Sequence, residues 1–424
     1  MAELAALLPK RKAKVGAKPW FDNYGRIAVQ FLKAYEGHSD EKLLERLNTD
    51  WALQLFCGIQ LGPNERIKDK DIIWKARAYV AANLDMDKAQ EVLIKHWKPW
   101  MENLHLGLCD ATCYESYIKY PTDVKLLWDC IEWMHRCIKR LSKDMGQPRP
   151  RNKYQDNKER RLAYARKRRK TYKEERHIRM LLLNLCEKLI LQLGQLLEQW
   201  SKQEWQDETL FDKEDWQRYR IIGKIYRQQR FHYDNPGESV PDRIVSLYKP
   251  YLRPIVRGKE NKRVEFGAKA HTWQVDGLNF LEHLSFSAFN ESTRLRQSIA
   301  FHHKGFGKLA QLGGDNIYGT NANRRLCSKL GISNCFKPKG RRTHDELLRQ
   351  QEDQARKAIG TARATVLEGS YGNDKNHYGL RKVKARNELT EVAWIFFGMM
   401  TANAVKVAKR MHKGIAANAK ARAA

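Results

Sequence analysis

At Leu104 the spacing of apolar side chains changes from helical to every second residue, and that switch limits the folds open to this chain. Leu104, Leu106 and Leu108 alternate with His105, Gly107 and Cys109, and the run closes on Asp110. This predicts a short strand with a carboxylate at its end. The preceding residues, Trp20 to about Met101, have helical spacing instead. Ile27, Phe31 and Leu32 share a face, Leu43, Leu44 and Leu47 follow a turn at Gly37–Asp40, and Asp71 and Asp85 (or Asp87) stand where helix caps are wanted.

Strand spacing returns only after Pro236-Gly237 and Pro250. Val264, Phe266, Ala268 and Ala270 alternate, Asp276-Gly277 is a hairpin turn signal, and 278–286 supplies the second arm. Further on the pattern predicts a helix over 292–303, a strand over 309–314 ending at Asp315, a helix over 321–330 and a strand over 332–336. Helices over 344–360, 362–377 and 389–411 complete it. Between the first strand and the hairpin lies a helical insert, 123–245. The organisation expected is a basic arm (1–18), a helical domain for DNA binding or dimerisation (19–101), a mixed α/β catalytic domain (102–411) carrying that insert, and a basic tail (412–424).

Charge narrows the partners. Lys and Arg number 79 against 49 Asp and Glu, a formal excess of +30, which suits a polyanion, with nucleic acid first. Between 149 and 179 there are fourteen Lys/Arg and four Asp/Glu, with Tyr154, Tyr164 and Tyr172 interleaved. Cations neutralise phosphates and aromatics stack on bases, so Arg166, Lys167, Arg168 and Arg169 are candidate DNA contacts. A plain solvated helix is the alternative. No apolar run approaches the ~18–20 residues of a membrane span, and no secretory segment opens the chain, so a cytoplasmic protein without a membrane partner is expected. None of the eight Cys is spaced C-x-x-C, which gives neither a disulfide framework nor a zinc signature.

The order strand, hairpin, helix, strand, helix, strand, helix is that of a ribonuclease-H-like domain. There the ends of the first and fourth strands lie side by side and a late helix crosses them. Asp110, Asp315 and Glu368 would then converge, and three carboxylates suit two Mg²⁺ ions (or Mn²⁺), hard cations that prefer oxygen. Such a pair can activate a nucleophile and stabilise the leaving oxygen of a phosphodiester. The plainer alternative is that a strand-terminal Asp only forms a turn. Asp276 is a rival for the first carboxylate, but only one further strand fits between it and the helix at 292, so it cannot lie on the first strand.

Four ordered blocks add to this. Cys109-Asp110-Ala111-Thr112 with Tyr120-Pro121-Thr122-Asp123-Val124-Lys125 resembles the first-aspartate block of bacterial DDE insertion-sequence transposases. Val256-Arg257-Gly258-Lys259 with Val264–Lys269 is similar to their second-strand block. Asp315-Asn316-Ile317-Tyr318-Gly319-Thr320-Asn321 through Arg324 resembles the second-aspartate block, and Leu367-Glu368-Gly369-Ser370-Tyr371-Gly372, Lys375 and Tyr378-Gly379-Leu380 the glutamate block. The group most resembled is insertion-sequence family five, in its 1182-like branch, over about residues 20 to 411.

The resemblance implies an enzyme that cuts double-stranded DNA at the terminal inverted repeats of a mobile element and joins the 3′-hydroxyl to a target. It implies Asp110, Asp315 and Glu368 as metal ligands, Lys375 as a contact to the element's end, and Tyr318 and Arg324 in the second-aspartate block as candidate DNA contacts. A homodimer or larger assembly is expected, since two ends must meet. Relatives usually carry an Arg four residues before the glutamate; here that place is Ala364, and Arg363 stands one position earlier. Gly369 and Gly372 would let DNA approach the backbone or let helices pack closely. The competing functions are a repeat-binding regulator without catalysis and a metal-dependent nuclease of the same fold.

Overall fold

The computed structural model describes residues 1–10, 19–202, 210–256, 264–340 and 344–423, with 415–423 by backbone alone. Arg257, Gly258 and Lys259 of the second-strand block lie outside the described residues. The chain divides into two compact units: Met1–Tyr117 together with Ile255–Ala424, and Ile118–Pro254.

The first unit is built on a six-stranded mixed sheet. Its strands are β1 (Leu106–Glu115), β2 (Pro254–Val256), β3 (Val264–Val275), β4 (Leu278–Ser285), β5 (Gln311–Gly314) and β6 (Ser333–Asn334). They run in the order β2-β3-β1-β5-β6, with β4 also on β3. β3 is antiparallel to both β1 and β4, whereas β1, β5 and β6 are mutually parallel. The class is mixed α/β.

β1 differs from the expected short strand: it continues five residues past Asp110, to Glu115. Thr112, Cys113 and Tyr114 are buried, and a β-branched residue and an aromatic favour the pleated surface. Asp110 is therefore in mid-strand, opposite Thr272 of β3. Close packing of the two strands depends on Gly107, where a Cβ would stand 2.1 Å from the Trp273 ring. The hairpin lies where Asp276-Gly277 put it, and both residues have positive φ (49° and 75°), as a two-residue I′ turn needs. Asp276 accepts bonds from Arg410 and from the Glu102 amide (2.8 and 3.0 Å), so it belongs to the turn.

The helices of 19–101 are not a body apart from the sheet. Asn23–Glu36, Asp40–Leu47, Trp51–Phe56 and Met86–Trp97 are capped by Asp22, Ser39, Asp50 and Asp85 side chains, while Asp71 precedes Ile72–Asn83 without capping it. Phe31 meets Phe397 of the final helix Glu388–Ala423 edge to face at 5.1 Å. The Gln90 amide bonds both the N–H and the carbonyl of Leu281 in β4. Residues expected to be a basic arm begin as a short helix, Ala2–Ala6, and Leu4 and Leu8 are buried.

The second unit contains helices Asp123–Asp144, Tyr154–Arg166, Tyr172–Ser201 and Lys213–Asp234. Ile131, Met134 and Ile138 share a core with Leu182, Leu189 and Leu193. Asp123, 8% exposed, accepts from Arg243 (2.6 Å) and Gln229 (3.2 Å) and lies 3.3 Å from His232 and 3.5 Å from Arg179. One carboxylate thus ties the start of the first helix to the others. Tyr172–Ser201 is long and apolar enough to cross a membrane by length and composition, contrary to the expectation that no segment would be. Most of its leucines are buried in the core just described, Leu191 being exposed.

Candidate active site

Asp110 and Asp315 come together through strand register. Cys109 pairs with Gly314 in the parallel β1–β5 ladder, so the next residue of each chain is an aspartate, on strands ~4.8 Å apart. β5 ends there because Asp315 turns the chain, its carboxylate accepting from the Asn316 amide at 2.7 Å. Cys335 fixes the strand end, donating to the Gly314 carbonyl and accepting from its N–H.

The third acid arrives on a helix that crosses one face of β1. Glu346–Ala362, a π-turn Arg363–Leu367 and Glu368–His377 follow one another without a break, where the sequence spacing suggests two helices. Alternate residues of β1 each meet this run. Leu108 packs with Ile359, Leu367 and Tyr371, Asp110 accepts from Arg363 at 2.6 Å, Thr112 accepts from Lys375 at 2.9 Å, and the Tyr114 hydroxyl bonds Asp374 at 3.3 Å. The spacing of two along a strand has become a series of partners along a helix.

Arg363 is the centre of the group. Its guanidinium bonds Asp110 and stands 3.6 Å from Glu368 Oε1. Burial works against its charge, and Asp110, Asp315 and Glu368 together outweigh that cost. Residues five apart lie about 140° apart around an α-helix. The π-turn, with its i→i+5 pattern, brings Arg363 and Glu368 back to one side. Asp110 is largely buried, and Glu368 and Asp315 are exposed.

The donor types suit a hard divalent cation, three carboxylates offering oxygen only; Asp110 and Glu368 stand at the Arg363 guanidinium, and Asp315 acts on it electrostatically without touching it. With Arg363 in place the acids form an arginine site, and no three His, Cys, Asp or Glu among the described residues are close enough to hold a metal ion.

The remaining predicted residues divide. Lys375 is on the face of Asp110, two residues along β1 at Thr112. Tyr318 does not belong to a DNA surface: it is fully buried, and its hydroxyl bonds His271 Nε2 at 2.7 Å. Arg324 is also structural, donating to the carbonyls of Gly319 (2.9 Å) and Lys337 (2.6 Å) and so holding the loop after Asp315. Arg166, Lys167, Arg168 and Arg169 are exposed in the second unit, with Lys167 paired to Glu174 at 2.6 Å. Gly369 and Gly372 face open space, with nothing within 4 Å of an added Cβ, so close helix packing is not their reason.

Sequence reasoning missed the polar floor beneath the helix. Gln274, Asn279, Ser370 and Asp374 form a buried hydrogen-bonded group, extended by Asn403 at the Asn279 backbone. Thr272 bonds Tyr371 on one side and the Asp110 carbonyl on the other. Burial raises the Asp374 carboxyl to about 6 against the pull of Lys406, Asn279, Tyr114 and Lys375. The available signal was His271-Thr272 and Gln274 inside a strand otherwise fit for a core.

Comparison of the chain with family models, curated proteins and solved structures gives no match.

Proposed function

We propose that this protein is a DNA transposase that binds the terminal inverted repeats of an insertion sequence, cuts at its ends and joins the 3′-hydroxyl to target DNA. The observation that carries the proposal is the placing of Asp110 and Asp315 on two adjacent parallel strands and of Asp110 and Glu368 at one arginine, Glu368 arriving on the crossing helix. Leaving β2 aside, the order β4-β3-β1-β5-β6 supports a ribonuclease-H-like core. The π-turn supports equating Arg363 with the arginine that relatives carry four residues before the glutamate, since it supplies the extra residue.

Asp110, Asp315 and Glu368 would hold two Mg²⁺, with Mn²⁺ able to substitute. A bound pair supplies activation of the attacking oxygen and stabilisation of the leaving one. Arg363, once displaced from Asp110, has the fork of donors suited to a phosphate. Lys375 lies about 10 Å of helix beyond Glu368, within reach of a neighbouring phosphate. The open surface at Gly369 and Gly372 leaves the backbone accessible to DNA. The exposed cations of 166–169 are a second DNA contact, and the working form is a homodimer or larger assembly on DNA in the bacterial cytoplasm.

Purified protein mixed with labelled element ends, a target plasmid and Mg²⁺ tests this. Joined products support a transposase, cleavage alone a nuclease, and retention without cleavage a repeat-binding regulator. Joining that survives both Asp110→Asn and Glu368→Gln would remove the site assignment.

A further inference from the structure

Past the helix that carries Glu368 and Lys375, the chain turns at Gly379 (φ 71°) and continues through 381–386 as an irregular segment with one bridging residue, Val383. The Arg381 N–H donates to the Lys375 carbonyl at 3.1 Å, so this run starts from the end of that helix. Val383 then extends the ladder of β1: its N–H donates to the Glu115 carbonyl, and the Tyr117 N–H donates to its own carbonyl, both at 2.8 Å. Val383 and Ala385 are buried, whereas Lys382, Lys384 and Arg386 are exposed. One edge of the run is therefore core and the other is entirely cationic.

The cations differ in how they are held. Lys382 pairs with Glu115. Lys384 sits 5.9 Å from the Tyr117 ring and Arg386 5.0 Å from the Trp74 ring, and neither has an acidic partner among the described residues. Both border a cleft of about 360 Å³ whose lining includes Lys33, Arg77, Trp74 and Trp394. Burial pushes the Lys33 ammonium down; Asp40 opposes this, and Arg77 and Lys384 add to it. The Trp74 indole N–H is buried, with no acceptor among the described residues.

We propose that Lys384 and Arg386 bind the phosphodiester backbone of double-stranded DNA and carry it alongside the helix of Glu368 and Lys375. This rests on the transposase reading and adds a site to it. Lys382, Lys384 and Arg386 alternate with buried Val383 and Ala385, so three cations within five residues face outward together. A succession of outward cations suits a polymer bearing one charge per ~3.4 Å of axis on each strand, rather than a single small anion. The aromatic rings beneath the cations hold their charges outward without neutralising them.

The test is the salt dependence of binding to a labelled random-sequence duplex, read by fluorescence anisotropy, for the wild type, Lys384→Ala/Arg386→Ala and the charge-keeping Lys384→Arg/Arg386→Lys. Each phosphate contact contributes about 0.9 to the slope of log K against log salt, so the alanine pair is expected to be shallower by about 2. The charge-keeping pair is expected to retain the wild-type slope, and an unchanged thermal midpoint confirms that each variant folds. A wild type that binds, with an alanine pair of identical slope, overturns this site and leaves the transposase reading standing. A wild type with no salt-dependent affinity for duplex overturns both.

Discussion

Arg363 donates to Asp110 across 2.6 Å, joining a helix to the middle of a strand 253 residues earlier. The same guanidinium stands 3.6 Å from Glu368, so part of the acid group's charge is offset from within the chain. A divalent cation bound by Asp110 and Glu368 would have to compete with this arginine for the same oxygens.

Arg363→Met keeps most of the bulk and removes the charge. Without divalent ions the variant is expected to lose about 2 kcal/mol of stability, the scale of a hydrogen bond to a charged group. Its affinity for Mg²⁺ or Mn²⁺ is expected to rise about tenfold, the equivalent of ~1.4 kcal/mol. Thermal unfolding across a metal titration reads both changes. A variant that gains no more from metal than the wild type would show that the guanidinium does not compete.

Asp123 predicts a different kind of damage. Asp123→Ala leaves Arg243, Arg179 and His232 crowded around an empty place. Removing one member of a buried charged group typically costs about 3–5 kcal/mol. Denaturant unfolding, followed by the tryptophans of the second unit, should show that loss, and DNA cleavage at low temperature should survive where the fold does.

Asp374 gives a pH dependence. Its folded carboxyl titrates at about 6, above the ordinary 3.8, because burial disfavours the charged form. Between those values the folded state binds more protons than the unfolded one, so this group's contribution to stability falls as pH rises from about 4 to 6 and is level above that. Two units correspond to about 3 kcal/mol. Asp374→Asn is expected to abolish this part of the slope while keeping a partner for Asn279. Unfolding free energies at pH 4, 5, 6 and 7 for both proteins check it, and parallel curves would contradict it.

Gly107→Ala places a methyl 2.1 Å from the Trp273 ring. Overpacking of this kind costs about 1–3 kcal/mol. Because Gly107 is three residues from Asp110 on β1, cleavage is expected to fall along with the thermal midpoint. A midpoint within experimental error of the wild type would mean that Trp273 can move aside.

The elements were legible where their pattern is local. The hairpin at Asp276-Gly277, the strand leading to Asp315 and the cap at Asp85 all follow from residues within a few positions, whereas Asp71, expected as a cap, makes no capping bond. β1 was cut short at Asp110, since an aspartate in a strand normally signals its end. What makes it acceptable in mid-strand is Arg363, which no window around residue 110 contains. Tyr318 shows the reverse error. A motif position suggested a surface role, but its hydroxyl is taken by His271 in β3. The π-turn left one trace in the sequence, the displacement of Arg363 by a single position, and that trace is intelligible only once the helix is seen.

The π-turn makes the crossing helix two screws of one pitch joined out of phase. The first half is indexed by Ile359 against Leu108, and the second by Tyr371 against Thr272 and Asp374 against Tyr114. Deleting one residue from 363–367 would return the whole to a single thread, about 100° out of step on one side of the cut. The helix would then seat either Ile359 or Tyr371 correctly, never both. The length of this joint, more than its composition, is what the site cannot give up.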